Sequence, residues 1–488
     1  MIGRLHRQSS LFYVAFHREA SLIKDDLLEP LDALLEDEEL IELVREALGR
    51  RRPQSRTRGR CGIAPDRLLR CCVLKQLKGW SLRELEREVR GSLVYRRFTR
   101  FDQDPIPNYS NFSRAFAALG EDITGQIHAR VVDQARQDGI ARGRKVRTDT
   151  TVVESNVHYP TDSTLLADGV RVLTRALQRV SAECAQGAVK VVDHARAAKH
   201  RVLEIRRAAK SFTEGCQEQM KASYGKLVGL TRGVFRQAEQ VCEQVLHGTL
   251  PVVGNVQRVL THVHKLEHFA PLVKKVIDQT QARVFGGDTH VQGKILSLFE
   301  EHTQVIRKGK AHKPTEFGRL VQIDEVENGI VSHYEVKDGN PSDEQAWEPA
   351  LAHHKAIFGH APRMATADRG FSSASNERAA RDMGVQQVAL PARGRRSSKR
   401  ATIEKQRWFQ RALRWRGGIE ARIGTLKHRF GMARARFKGE TGFKRYVGWS
   451  IIAHNLVSIA RARVRRKARA PVPPAPRAAG SSRDARCS

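Results

Sequence analysis

Residues 145–153, Lys-Val-Arg-Thr-Asp-Thr-Thr-Val-Val, are strand-like, and strand character returns only at 319–324, Arg-Leu-Val-Gln-Ile-Asp. Between them, from 163 to 312, the pattern is almost wholly helical. Val170, Leu173, Leu177 and Val180, for example, fall at i, i+3, i+7 and i+10 on one apolar face. A lone strand leaves its backbone donors and acceptors unsatisfied, so the first run needs partners from beyond the helical stretch. That stretch, 161–314, therefore reads as an all-α insertion that splits one domain into 140–160 and 315–460.

The second half of that domain alternates strand and helix. A strand at 329–336 follows a turn at Glu327-Asn328-Gly329, and Gly339-Asn340-Pro341 then breaks the chain. Ser342, with Gln345 three residues on, is placed to form a capping box for a helix to residue 358. A strand at 364–367 ends on Asp368, followed by a helix at 375–383, a strand at 385–390 and helical patterning from 393 to 467. The expected class is α/β: a mixed sheet with flanking helices, preceded by an all-α domain over 1–135.

In that first domain the spacing predicts helices at 64–78, 81–90 and from 108 or 110 to 119. Gly79 supplies a stop, and Ser81 with Glu84 a capping box. Helix, tight turn and second helix resemble a helix-turn-helix with Arg83, Arg87 and Arg90 on the second helix; DNA contact and a structural or dimerising role both stand. The acidic, Leu-rich segment 25–46 reads as amphipathic helices packing on another part of the protein. The basic tail, 461–488, becomes rich in Pro and Ala beyond 468 and is expected to be disordered.

Charge narrows the partner. The formal net charge is +33, and from 391 to 470 there are 24 Lys and Arg against three acids. This implies a polyanion along the C-terminal third, with nucleic acid favoured over a membrane. The longest apolar candidate, 446–460, is short and contains Ser450, His454 and Asn455, so it reads as a buried or amphipathic helix. No secretory signal is recognised, since the apolar stretch 11–16 runs directly into His17-Arg18-Glu19. Seven scattered cysteines without a Cys-x-x-Cys pair fit a reduced, cytoplasmic protein without structural zinc.

Two acids stand where an α/β sheet presents functional groups, Asp149 within the first strand and Asp368 at the end of a later one. Glu420 would approach from the C-terminal helical region. Three convergent carboxylates can hold two Mg²⁺, with Mn²⁺ as a substitute, one ion activating a water or 3′-hydroxyl and the other stabilising the leaving oxygen. At about 100° per residue, Arg416 and Lys427 lie within about 40° of Glu420 around a helix, suiting them to DNA phosphates. Gly417-Gly418 weakens that helix, which is expected to start or kink there, with close approach to DNA as one compensation.

Other residues have plainer readings. Asp162 and Asp168 are the rivals for the first acid, and Asp324 and Glu325 read as structural. Glu154, Asn156 and His158 either line the site or are edge-strand polarity. His353-His354 reads as part of an exposed helix, and Trp408 with Trp415 as a core stripe, stacking on an extruded base being the sharper alternative. The run 394–400 is flexible and basic, suited to nonspecific phosphate contact.

These motifs resemble the DDE transposases of bacterial insertion sequences, in particular ISNCY-type members, over most of the chain. The carriers are residues 149–162 (Asp-Thr-Thr-Val-Val-Glu-Ser-Asn-Val-His-Tyr-Pro-Thr-Asp), Glu316-Phe317-Gly318-Arg319, Ala367-Asp368-Arg369-Gly370-Phe371 and the helix around Glu420. Related transposases carry Tyr-x2-Arg-x3-Glu-x6-Lys on that helix; here Arg416, Glu420 and Lys427 match, and Leu413 stands in place of Tyr. The resemblance implies a ribonuclease-H-like catalytic domain in which Asp149, Asp368 and Glu420 are the catalytic metal ligands. It also implies double-stranded DNA as partner, a homodimer or larger synaptic complex, and work at the nucleoid. A nuclease on the same fold and a non-catalytic DNA-binding regulator remain the rival functions.

Overall fold

A computed structural model describes residues 25–51, 54, 58, 62–102, 104–211, 213–307 and 314–469. The N-terminal apolar stretch and most of the tail lie outside the described residues. The N-terminal part is helical: α1 Leu28–Leu34, α2 Glu38–Arg51, α3 Pro65–Lys78, α4 Leu82–Gly91, α5 Leu93–Phe98, α6 Tyr109–Ala118 and α7 Glu121–Gln137. Gly79 closes α3 in the left-handed region, and Ser81 and Glu84 form the reciprocal capping box that starts α4. The short α5, capped by Ser92, had no clear periodic signal. Leu28, Leu31, Leu34 and Leu40 of the acidic segment are buried, as its pattern requires.

Among the described residues six strands make one mixed sheet. They are β1 Lys145–Glu154, β2 Gln304–Ile306, β3 Glu316–Glu325, β4 Val331–Val336, β5 Met364–Thr366 and β6 Gln387–Ala389. Central β1 runs antiparallel to β3 on one side and parallel to β5 on the other, with β6 parallel beyond β5. The far edge of β3 carries β2 and β4, both antiparallel. Three-residue β2 was missed because so short a run has no readable alternation.

Glu154, the last residue of β1, pairs with Gly318 near the start of β3, so the chain leaves and returns to the sheet at one place. Between lie α8 Asp162–Ser181, α9 Ala195–Ala208, α10 Glu214–Leu246 and α11 Val256–Thr280. Their side chains build a core of their own, in which Val170, Leu173, Leu177 and Val180 all turn inward. The helical pattern over 188–247 is interrupted between α9 and α10.

The remaining helices are α12 Trp347–Phe358, α13 Ala374–Asp382, α14 Ser398–Lys405, α15 Arg407–Arg429 and α16 Glu440–Arg469. One apolar core joins α1 to α4, the Val146, Ala365 and Ala367 face of the sheet, Trp347 of α12 and the middle of α16. The opposite sheet face, with Val153, Val321 and Ile323, packs on Leu426 of α15 and on Phe443 and Val447 of α16. Among the described residues no helix is long and apolar enough to cross a membrane.

Several local expectations are corrected. Ser342 precedes a short 3-10 turn and makes no side-chain cap, because α12 begins later, at Trp347. His354 is buried and within 2.8 Å of the Gly143 carbonyl, so only His353 lies on an exposed helix face. Residues 393–467 form three helices, not one run. Within α15 the Gly417-Gly418 pair causes no break, since flanking packing outweighs about 1 kcal/mol of propensity per Gly.

Gly318 is required by close strand approach: a Cβ there would overlap the Val153 carbonyl oxygen. Gly318→Ala is expected to cost about 3 kcal/mol, read as a lowered urea midpoint; an unchanged midpoint would contradict this register. Two histidines add a pH dependence. Burial pushes His128 down to about 4, and burial followed by the Arg422 charge pushes His454 down to about 3. The unfolded chain takes up these protons near 6.5, so stability is fully present above that pH and falls as pH drops toward 4. At pH 5 each histidine is expected to remove about 2 kcal/mol. Urea titrations at pH 7.5 and 5 check this, and His128→Gln should flatten the difference.

Candidate active site

Asp149 lies in the middle of β1, opposite Ile323 of β3, and its side chain is half-buried. Its Oδ1 accepts from the Thr150 amide at 2.7 Å. Asp368 follows β5 by two residues, where its Oδ1 accepts from the Gly370 amide at 2.7 Å and caps a short 3-10 turn. The β1/β5 register pairs Lys145 with Met364 and Arg147 with Thr366. Continued for two residues along the same parallel offset, it sets Asp149 beside Asp368.

A third acid was missed by the sequence reading. Asp343, in the 3-10 turn before α12, accepts through Oδ1 from the Thr150 hydroxyl at 2.7 Å. A Cβ on Gly370 would stand 2.7 Å from Asp343 Oδ2 and 2.8 Å from Asp368 Oδ1, so these carboxylates meet over bare backbone. The only sequence cue was an acid just after Gly339-Asn340-Pro341, which reads as turn chemistry. Arg393 secures the same loop by donating to the carbonyls of Arg369, at 2.7 Å, and Gly370.

Glu420 is carried by α15, which packs on both β1 and β5. Its side chain is 69% exposed and pairs with Arg416 at 3.6 Å. Among the described residues no group of three or more His, Cys, Asp or Glu side chains is arranged to hold a metal ion. The parallel offset sets Asp149 beside Asp368, while the exposed Glu420 carboxylate pairs with the cation available one turn back, Arg416. The donors near the sheet end are hard carboxylate oxygens, the chemistry a Mg²⁺-type ion takes. Lys427 lies in the last turn of the same unbroken helix as Arg416 and Glu420.

The other candidates divide cleanly. Asp162 is buried within the helical segment, where Arg283 holds it at 2.8 Å, and Asp168 pairs with Arg171 at 2.7 Å. Glu154, the last residue of β1, accepts from Arg434 at 2.7 Å. Trp408 and Trp415 pack beside Phe409 and Met364. Asp324 and Glu325 are both buried, each 1% exposed. Glu325 receives a two-pronged contact from Arg147, at 2.5 and 3.1 Å, directly across the β1/β3 ladder. Arg147 also donates to the Trp415 carbonyl of α15. This guanidinium approaches Gly418, where a Cβ would come within 2.5 Å of Nη1.

Comparison with known families agrees with this architecture. Residues 16–118 match a family model described as a transposase domain (DUF772), and residues 276–456 match the transposase DDE domain. The second match takes in β2 to β6, Asp368 and Glu420, and together the two cover more than half of the chain. No curated protein and no solved structure matches the chain. The transposase DDE domain is ribonuclease-H-like, and its family uses divalent metals. The chain belongs to the DDE-type insertion-sequence transposases, enzymes of metal-dependent DNA cleavage and strand transfer.

Proposed function

We propose that this transposase binds the terminal inverted repeats of its own insertion sequence, cleaves the element ends and joins the freed 3′-hydroxyls to target DNA. The observation that carries this reading is the parallel β1/β5 register, which pairs Arg147 with Thr366 and, continued by two residues, sets Asp149 beside Asp368 just past the end of β5. In it, Asp149, Asp368 and Glu420 are the catalytic carboxylates, and they would hold two Mg²⁺, or Mn²⁺ in their place. Such ions, when bound, supply charge stabilisation at the phosphate and a stronger oxygen nucleophile. Asp149 and Asp368 provide the rigid half of the site, because Asp149 is held in β1 and Asp368 is tied to the turn after β5 by the Gly370 amide. Glu420 provides the adjustable half, turning from Arg416 toward the aspartates when DNA takes up the arginine. Arg416 and Lys427 hold phosphates of the same strand.

The proposed division is an N-terminal helical domain for DNA binding or dimerisation over 1–135, a split catalytic domain over 140–160 and 315–460, a helical insertion over 161–314 and a tail over 461–488. The separate core of α8 to α11 supports the insertion. The DNA-binding reading of α4 draws on Arg87 and Arg90, whose side chains are 72% and 60% exposed. A homodimer or larger synaptic complex, acting on nucleoid DNA in the cytoplasm, follows from the family, and the ISNCY-type assignment from the motifs at 149–162, 316–319 and 367–371 and around Glu420.

With duplexes bearing the element ends, wild-type protein and Mg²⁺ should yield both cleaved ends and products joined into plasmid DNA. Cleavage that never gives joined product would favour the nuclease reading. Asp149→Ala, Asp368→Ala and Glu420→Ala should each lower cleavage by on the order of 100-fold or more, the scale of losing one charge-stabilising group, with DNA affinity largely kept. Lys427→Ala should weaken binding evenly across sequences and reduce the slope of log K against log salt by about 1. An unchanged slope would remove Lys427 from the phosphate contacts.

A further inference from the structure

We propose that Glu325, gripped by Arg147 and Arg422, is a positioning residue that sets the rotation and height of α15 and so delivers Glu420 to the two aspartates. The proposal rests on the reading of Asp149, Asp368 and Glu420 as one site.

Three observations carry it. First, the Arg147 fork on Glu325 closes across directly paired positions of β1 and β3, two residues before Asp149. Second, both arginines reach α15. Arg147 donates to the Trp415 carbonyl, stands 4.8 Å from the Trp415 ring centroid and fills the space left by Gly418. Arg422, itself on α15, approaches the same Glu325 Oε1 at 3.4 Å. Third, the far end is anchored. Arg422 Nη1 lies 2.9 Å from His454 Nε2 on α16. His454 Nδ1 is 3.2 Å from Asn455 Oδ1, and Asn455 bonds both backbone groups of Val331 in β4. These partners require the tautomer with the proton on Nδ1, leaving Nε2 to accept from the arginine.

The helix geometry says what this grip controls. Positions 415, 418 and 422 share one flank of α15, and at about 100° per residue Glu420 lies nearly half a turn round from them. Because α15 packs on both β1 and β5, fixing the gripped flank fixes where the flank with Arg416 and Glu420 stands relative to the end of β5, which Asp368 follows. A buried ion pair of this kind contributes little net stability, since desolvation offsets most of its Coulombic gain. Its use is to choose one arrangement. Without the carboxylate, two guanidiniums would face each other across the strand and helix, and α15 would lose the contact that fixes its turn.

The test is backbone cleavage by Fe²⁺ with ascorbate and dissolved dioxygen, Fe²⁺ standing in for Mg²⁺ and directing oxidative cutting of the chain to wherever the ion is held. Wild-type full-length protein bound to an element-end duplex, which occupies Arg416, should be cut near Asp149, near Asp368 and in α15 near Glu420. In Glu325→Gln the first two cuts should persist and the α15 cut should fall to background, while circular dichroism stays native. If Glu325→Gln fails to fold, Arg422→Gln, altered at a side chain that is 25% exposed, decides the matter with the same expected pattern. A folded variant that keeps all three cuts would overturn the positioning role, even if its stability had dropped. Wild-type protein cut at none of the three acids would instead overturn the site reading on which the proposal stands. Excess Mg²⁺ should suppress every site-specific cut.

Discussion

The pairing of β1 with β3 and β5 is the constraint on which everything else depends. Among the described residues β1 is the only strand that touches both halves of the mixed sheet, antiparallel to β3 and parallel to β5. Its parallel register brings Asp149 level with Asp368, and its antiparallel register sets Arg147 opposite Glu325. Shifting the strand by one residue would turn both aspartate and arginine to the other face. Buried Val146 and Val152 on one side and Val153 on the other oppose such a slip.

The same pairing explains how so long a helical segment is accommodated. With Glu154 directly opposite Gly318, the segment behaves as a large loop between paired strands. Closing a longer loop costs only slightly more entropy, about 0.6 kcal/mol per doubling, and the segment has its own core to offset that. Sheet geometry and helical segment are therefore separable in energetic terms. The N-terminal helices are different, because α1 to α4 share a continuous core with the sheet and α16.

Much of this was legible in local patterns. The Ser81 to Glu84 capping box, the Gly79 stop, the Glu327-Asn328-Gly329 turn and the strand that ends before Asp368 all depend on neighbours within a few residues, and all formed. The site was legible as far as its strands: Asp149 and Asp368 stand where strand and strand end were expected. What the sequence could not display was long-range pairing. Arg147, Glu325 and Arg422 look like three unrelated surface charges until the ladder and α15 bring them together. Asp343 looks like a turn residue until Thr150 is set beside it. The cap expected at Ser342 failed for the opposite reason, since a correct local motif was overruled by where α12 packs.

The central claim is that the two aspartates on neighbouring parallel strands form the rigid half of a divalent-cation site that Glu420 completes. The most direct measurement is anomalous X-ray scattering from Mn²⁺ in crystals of the protein bound to a cleaved element end. The account predicts manganese peaks bounded by Asp149 and Asp368, with the Glu420 carboxylate turned in from Arg416. Manganese held elsewhere, with Asp149 and Asp368 making no contact to it, would contradict the account.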